Sequence, residues 1–98
     1  MPDADAPTRL PISDTLDLHA FAPSEVAELV AEYLEAARAA GLREVRLIHG
    51  RGRGVQRATV HAVLARLPWV AGAREAPPDR GGWGATVVVL SAAQDGDT

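Results

Sequence analysis

Along this chain the apolar positions switch between a period of two and a period near 3.6. Thr15-Leu16-Asp17-Leu18-His19 alternates polar and apolar residues, which predicts a half-buried strand with Leu16 and Leu18 inward and Asp17 and His19 on the other face. Val26, Leu29, Val30, Tyr33, Leu34 and Ala37 then follow the i, i+3, i+4, i+7 spacing of an amphipathic helix. Pro23 suits its first turn, Ser24 and Glu25 its positive end, and Gly41 its C-terminal cap. Glu44–His49 reads as a second strand with Val45 and Leu47 inward. A glycine-rich stretch, Gly50-Arg51-Gly52-Arg53-Gly54, leads into a second helix marked by Val60, Val63, Leu64 and Leu67 and ended by Pro68. Ala71–Ala76 is a third strand, Pro77–Gly84 a turn-rich loop, and Ala85–Leu90 an apolar, β-branched strand that belongs inside the sheet. The order β-α-β-α-β-β predicts an α/β two-layer sandwich, with a mixed four-stranded sheet and two helices on one face. Its first strand–helix–strand step should be a parallel crossover. Residues 1–13, with three prolines and no period, read as a flexible lead-in; residues 92–98 read as a polar tail; residues 14–91 form one domain.

Composition narrows the classes of function. With 98 residues, 47% apolar and 23% charged, the chain is an ordinary globular domain and not a disordered one. No apolar run approaches the ~20 residues of a membrane helix, and no cleavable leader pattern opens the chain. The absence of cysteine excludes disulfides, thiolate zinc sites and cysteine nucleophiles, and makes the cytoplasm the expected address. A net charge of −3 argues against a nucleic-acid binder, but the charges are unevenly spread. Residues 1–42 carry two arginines against eight acids, whereas residues 43–80 carry eight arginines against three. A basic face on an acidic whole follows. Every basic residue is Arg and none is Lys, which suits bidentate phosphate contacts but also follows from a GC-rich genome.

Parallel first and second strands end on the sheet edge where open α/β folds bind ligands, and three features converge there. Glycines at every second position of Gly50–Gly54 let the backbone approach a ligand closely and turn its amides towards an anion. The following helix adds its positive end, and Arg51, Arg53 and Arg57 add charge. The spacing is neither a Walker loop nor a clean dinucleotide fingerprint, and a turn with solvated arginines would look the same. Asp17 and His19 share a strand face, as an acid–base pair requires, since a carboxylate orients an imidazole and raises its pKa. The competing reading pairs Asp17 with Arg46 across the strands. His49 falls on the inward phase and reads either as a hydrogen-bonded structural residue or as a ligand. His61 lies among residues that look solvated. Two histidines and an aspartate could bind a metal, yet no ligand spacing demands one. Trp69 should pack on the core; Trp83, flanked by glycines, could stack on a base or fold onto its own scaffold.

Leu16-Asp17-Leu18-His19, His49-Gly50-Arg51-Gly52-Arg53-Gly54 and Gly81-Gly82-Trp83-Gly84-Ala85-Thr86 together resemble the three hallmark segments of the Smr (small MutS-related) domain family, over about Thr15 to Leu90. The resemblance implies a fold like the C-terminal domain of translation initiation factor three. It also implies nucleic-acid binding and, in many members, endonuclease cleavage. On the matching positions Asp17 and His19 are linked to cleavage, and Gly50 and Gly52 to a loop that holds the backbone. Where the family usually has glycine after the first histidine, this chain has Ala20. The opening Met and lead-in fit a stand-alone member. The expected function is therefore an endonuclease acting on RNA or DNA, with His19 as acid or base, Asp17 orienting it, and His49, Gly50, Arg51, Gly52, Arg53, Gly54, Arg57 and Trp83 as phosphate and nucleic-acid contacts. A 2′-hydroxyl route on RNA needs no cofactor, whereas DNA hydrolysis would call on Mg²⁺ or Mn²⁺. The expected partner is nucleic acid, branched or ribosome-associated forms included, and not a membrane. A binding module without catalysis and a small phosphate-ligand enzyme are the alternatives.

Overall fold

Leu18, Val45, Leu47, Val88 and Leu90 from the sheet meet Val26, Val30, Leu34, Ala37, Val60, Val63 and Leu64 from the helices in one buried cluster. The two sequence periods thus close on each other to form the core. The computed structural model describes residues 12–50 and 54–92. Its elements are β1 (Thr15–Asp17), α1 (Pro23–Ala39), β2 (Glu44–Ile48), α2 (Val55–Ala65), β3 (Val70–Glu75) and β4 (Ala85–Leu90). Two short 3₁₀ turns, Pro78–Arg80 and Gly82–Gly84, join β3 to β4. The sheet order is β1-β2-β4-β3, with β1 parallel to β2 and β4 antiparallel to both of its neighbours. This is the mixed four-stranded, two-layer α/β architecture that the pattern predicts. The expected lead-in and tail lie outside the described residues, apart from Ile12, Ser13 and Ala92.

Strand ends differ from expectation in β1, in β2, which stops at Ile48 instead of His49, and in β3, which spans Val70–Glu75 instead of Ala71–Ala76. β1 stops at Asp17 instead of running through His19, because the Asp17 carboxylate accepts the His19 amide at 2.9 Å and turns the chain. The Leu18 amide still reaches the Ile48 carbonyl at 2.9 Å, so β1 and β2 end side by side. β3 begins at Val70, and its register with β4 slips between Val70 and Gly72.

The capping of α1 is split between sequence and backbone. Ala22 offers no capping side chain, and the first turn is closed by Glu25, whose carboxylate accepts the Ala22 amide at 3.3 Å. At the other end the Gly41 amide reaches the Arg38 carbonyl and the Leu42 amide the Ala37 carbonyl, both at 3.0 Å, which ends the helix where Gly41 predicts. Trp69 packs against the core as expected, beneath the Arg38 guanidinium at 5.1 Å from the ring centroid.

The face of the sheet away from the helices is covered only in part. Ile48, Ala76, Ala85 and Val87 form a small second apolar cluster there. The loop before β4 is strapped to this face by Arg46, whose Nη1 donates to the Arg80 carbonyl at 2.9 Å. Asp17 is therefore not the partner of Arg46: in the parallel register Arg46 lies opposite Thr15, and Asp17 opposite Ile48.

Gly81 bends this loop with φ +112°, and a Cβ there would sit 2.9 Å from the Ala85 Cβ. Gly81→Ala should cost more than the ~1–2 kcal/mol of a left-handed residue alone, read as a lower urea midpoint at unchanged slope. Adding Ala85→Gly removes the clash but not the φ penalty, so the double variant should recover part of the loss; strict additivity would show that the close approach contributes nothing.

Candidate functional site

Because β1 and β2 are parallel and end together, the residues just beyond them share one edge of the sheet. β4 runs the other way, so its leading turn arrives at the same edge. The Gly84 carbonyl accepts both the His49 amide at 3.0 Å and the Gly50 amide at 2.8 Å. Gly50 (φ +83°) and Gly54 (φ +82°) then adopt the left-handed backbone that alternate glycines permit. Gly54 is the N-cap of α2, with its carbonyl accepting the Ala58 amide at 2.9 Å. Arg51, Gly52 and Arg53 lie outside the described residues.

His49, Gly50, Gly54, Gln56 and Arg57 line a hollow of about 260 Å³ with Pro23 and Val55, the first residues of α1 and α2. The N-terminus of α2 therefore borders the cavity, and α2 has no acid in its first turn to offset its end. Of the expected phosphate contacts, the structure brings His49, Gly50, Gly54 and Arg57 together here. Trp83 does not line the hollow; it stands 41% exposed on the neighbouring 3₁₀ turn, next to Gly84. Asp17 and His19 also lie outside the lining, at the adjoining end of β1. Their side chains are 59% and 75% exposed, with the His19 Nδ1 3.9 Å from the Asp17 Oδ1. The shorter link from that carboxylate is to the His19 amide, so the side chains meet across a turn and not along a strand face. Ala20 strains nothing, since no residue other than glycine has a positive φ among the described residues.

His49 is only 6% exposed, and its ring is held on both sides. Nδ1 lies 3.1 Å from the Gly50 carbonyl and Nε2 2.9 Å from the Thr86 Oγ1. Thr86 Oγ1 is in turn 3.4 Å from the His61 Nε2. A carbonyl can only accept, so the neutral His49 ring carries its proton on Nδ1. Its bare Nε2 then takes the single hydroxyl proton of Thr86, whose oxygen is left to accept from a protonated His61 Nε2. The chain of bonds thus assigns both tautomers and leaves the His61 Nδ1 as the open end. Burial lowers the pKa of both imidazoles and the Arg57 charge pushes the same way, against a smaller upward pull on His49 from the Gly50 carbonyl.

Thr86 and His61 are the residues that sequence reasoning missed. Thr86 is a polar side chain on the inward phase of β4, between the buried positions of an otherwise apolar strand. His61 is half-buried, and Arg57, Val60, His61 and Leu64 stand at one helical stripe, the signal that could have placed it inward. Three His, Cys, Asp or Glu side chains do not converge anywhere among the described residues.

Comparison with known proteins decides the family. The family model described as Smr domain matches residues 16–91. The chain belongs to the Smr domain family. Its curated relatives include the Endonuclease MutS2 proteins of Thermus thermophilus, 41% identical over 75 residues, and of Clostridium tetani, 37% identical over 79 residues. These alignments cover 76% and 81% of this chain but only 10% of either relative. Among solved structures, the crystallised Smr domain of Thermus thermophilus MutS2 superposes with a TM-score of 0.73 at 41% identity, covering 78% of this chain and 95% of that one. YdaL, a stand-alone small MutS-related protein from Escherichia coli, gives a TM-score of 0.75 at 32% identity, with coverage of 80% and 64%. The sheet and helices of this Smr domain are thus those of both structures.

The buried imidazole of this Smr domain predicts a pH effect on stability. With its folded pKa below the ordinary 6.5, His49 takes up a proton more readily in the unfolded chain. Its contribution to stability is present above pH 6.5 and is lost as pH falls through that value towards the folded pKa. Unfolding followed between pH 7.5 and 5.5 should show the decline. Thr86→Val, which leaves the His49 Nε2 without its donor, should cost about 1–3 kcal/mol at pH 7.5; ¹⁵N–¹H correlations should find the His49 proton on Nδ1 in the wild type.

Proposed function

We propose that this Smr domain binds the phosphodiester backbone of a nucleic acid, RNA or DNA, at the shared end of β1 and β2 and cleaves it endonucleolytically. The observation that carries this reading is the hollow itself. Left-handed Gly50 and Gly54, the open N-terminus of α2 and the half-buried Arg57 surround one space beside the exposed Asp17 and His19. Fixed backbone donors and a guanidinium suit an anion whose charge grows in the transition state. His49 serves this site as scaffold: buried, neutral and doubly bonded, it holds the Gly50 backbone and does not meet the phosphate through its ring. Arg51 and Arg53, from the same glycine-rich segment, add phosphate contacts, and the exposed Trp83 offers a face on which a base can stack. The relatives named as endonucleases support cleavage, although this chain spans a tenth of their length.

On RNA, His19 takes the proton of the 2′-hydroxyl as that oxygen attacks the adjacent phosphorus, and the 5′-oxygen leaves with a proton from water. Asp17 orients the turn that presents the imidazole. On DNA, water is the nucleophile, and Asp17 is the carboxylate that would share a Mg²⁺ or Mn²⁺ ion with the substrate phosphates, an arrangement that needs no full protein ligand set. Such an ion would make the attacking water more acidic.

The exposure of both side chains, and a spacing of 3.9 Å, favours a second reading in which the domain binds without cutting. End-labelled RNA and DNA in single-stranded, duplex and branched forms, incubated with Mg²⁺, Mn²⁺ or EDTA, separate the two. Wild type should cleave, and His19→Ala should cleave ~10²–10⁴-fold more slowly with unchanged affinity. Equal cleavage by both proteins would remove His19 from the mechanism. Salt-sensitive binding with no cleavage would make this a binding module.

A further inference from the structure

The face of the sheet opposite the helices holds a second basic hollow, away from the candidate site. It measures about 170 Å³, and its lining includes three arginines, Arg46 from β2, Arg74 from β3 and Arg80 from the loop, against two acids, Asp14 and Glu44. Its arginines are poorly matched by those acids. Arg74 meets Glu44 at 3.6 Å in an exposed pair, a contact of the kind that exchanges readily with water or another anion. The Arg46 Nε is buried with no acceptor, although its Nη1 is bonded to the Arg80 carbonyl. Neither Arg46 nor Arg80 is paired with a carboxylate among the described residues. The carboxylate of Asp14 is instead bonded to the Thr15 hydroxyl at 3.2 Å.

We propose that this hollow takes a second phosphate group of the nucleic acid whose scissile segment lies at the candidate site, so that the strand passes around the sheet edge at the Gly81–Gly84 turn. The proposal rests on the nucleic-acid reading given above. The volume is that of about five or six waters, enough for a phosphate with part of its shell. The guanidinium groups of Arg74 and Arg80, with the Arg46 charge beside them, suit the oxygens of a phosphodiester. Arg80 stands three residues before Trp83 and four before Gly84, whose carbonyl holds the His49 and Gly50 amides, so one short loop spans from the hollow to the site. A polymer with a charge on every unit can occupy both places at once. Such double occupancy also accounts for a basic stretch over residues 43–80 that the first site uses only in part.

The test is the salt dependence of binding to fluorescent single-stranded RNA and DNA, comparing wild type with Arg80→Gln, Arg74→Gln and Arg66→Gln. Arg80→Gln keeps the carbonyl that Arg46 uses, and Arg74→Gln breaks only an exposed pair, so thermal unfolding should be unchanged. Arg66 ends α2, is exposed, and controls for net charge alone. Arg80→Gln and Arg74→Gln should each weaken binding and lower the slope of log K against log salt by about 1, and Arg66→Gln should leave the slope as in wild type. Wild-type slopes in the Arg74 and Arg80 variants, or an equal loss in Arg66→Gln, would overturn the second phosphate site and leave the first intact. If wild type itself binds neither polymer, the nucleic-acid reading fails, and this site with it.

Discussion

Two consecutive amides, those of His49 and Gly50, end on the single carbonyl oxygen of Gly84, and the shape of the candidate site follows from that junction. A carbonyl has two lone pairs and can accept both. Doing so draws the chain off the end of β2 and points it towards α2, with Gly50 left-handed at the bend. The junction exists only because β4 is antiparallel to β2, so that the turn preceding β4 meets the end of β2. That turn is in turn shaped by Gly81, which lies too near the Ala85 Cβ for any side chain of its own. The glycines of the third hallmark segment are therefore structural neighbours of the second segment, although 26 residues lie between the two segments.

The same edge divides its polar groups between a buried set and an exposed set. His49, Thr86 and His61 form a chain of bonds in which each proton has one place to go, and burial lowers the pKa of both rings. A neutral, fully bonded imidazole is a poor acid–base catalyst and a good brace. Asp17 and His19 are the reverse: open to solvent, loosely coupled, and presented by a turn. Positive charge at the hollow then comes from Arg57 and the N-terminus of α2, and not from histidine.

The sheet also keeps its two faces unequal. Both helices cover one face, whereas the other has only a small apolar cluster and a loop strapped down by Arg46. An arginine serves there because its stem can lie along apolar surface while its fork reaches a backbone carbonyl. The outcome is a basic hollow on the side where no helix competes for space.

Local sequence was sufficient wherever one period governed a segment. The stripes of Val26, Val30, Leu34 and of Val60, Val63, Leu64, the alternation at Leu16 and Leu18, and the apolar run Ala85–Leu90 each bury surface in a way that only one element type allows, so element order, fold class and the shared edge of β1 and β2 were legible. The three hallmark segments likewise identified the family from residue identity alone. Tertiary structure decided everything that depends on a partner distant in the chain. Arg46 chose the Arg80 carbonyl over Asp17 because the parallel register set it opposite Thr15, and the loop brought an acceptor within reach. His61, on the inward stripe of α2, found its acceptor in Thr86, 25 residues away, and Thr86 itself was bracketed by two imidazoles that no local pattern connects. Periodicity records which side of an element faces the core, but a hydrogen bond needs two groups at one distance and angle, and only the packed chain fixes that.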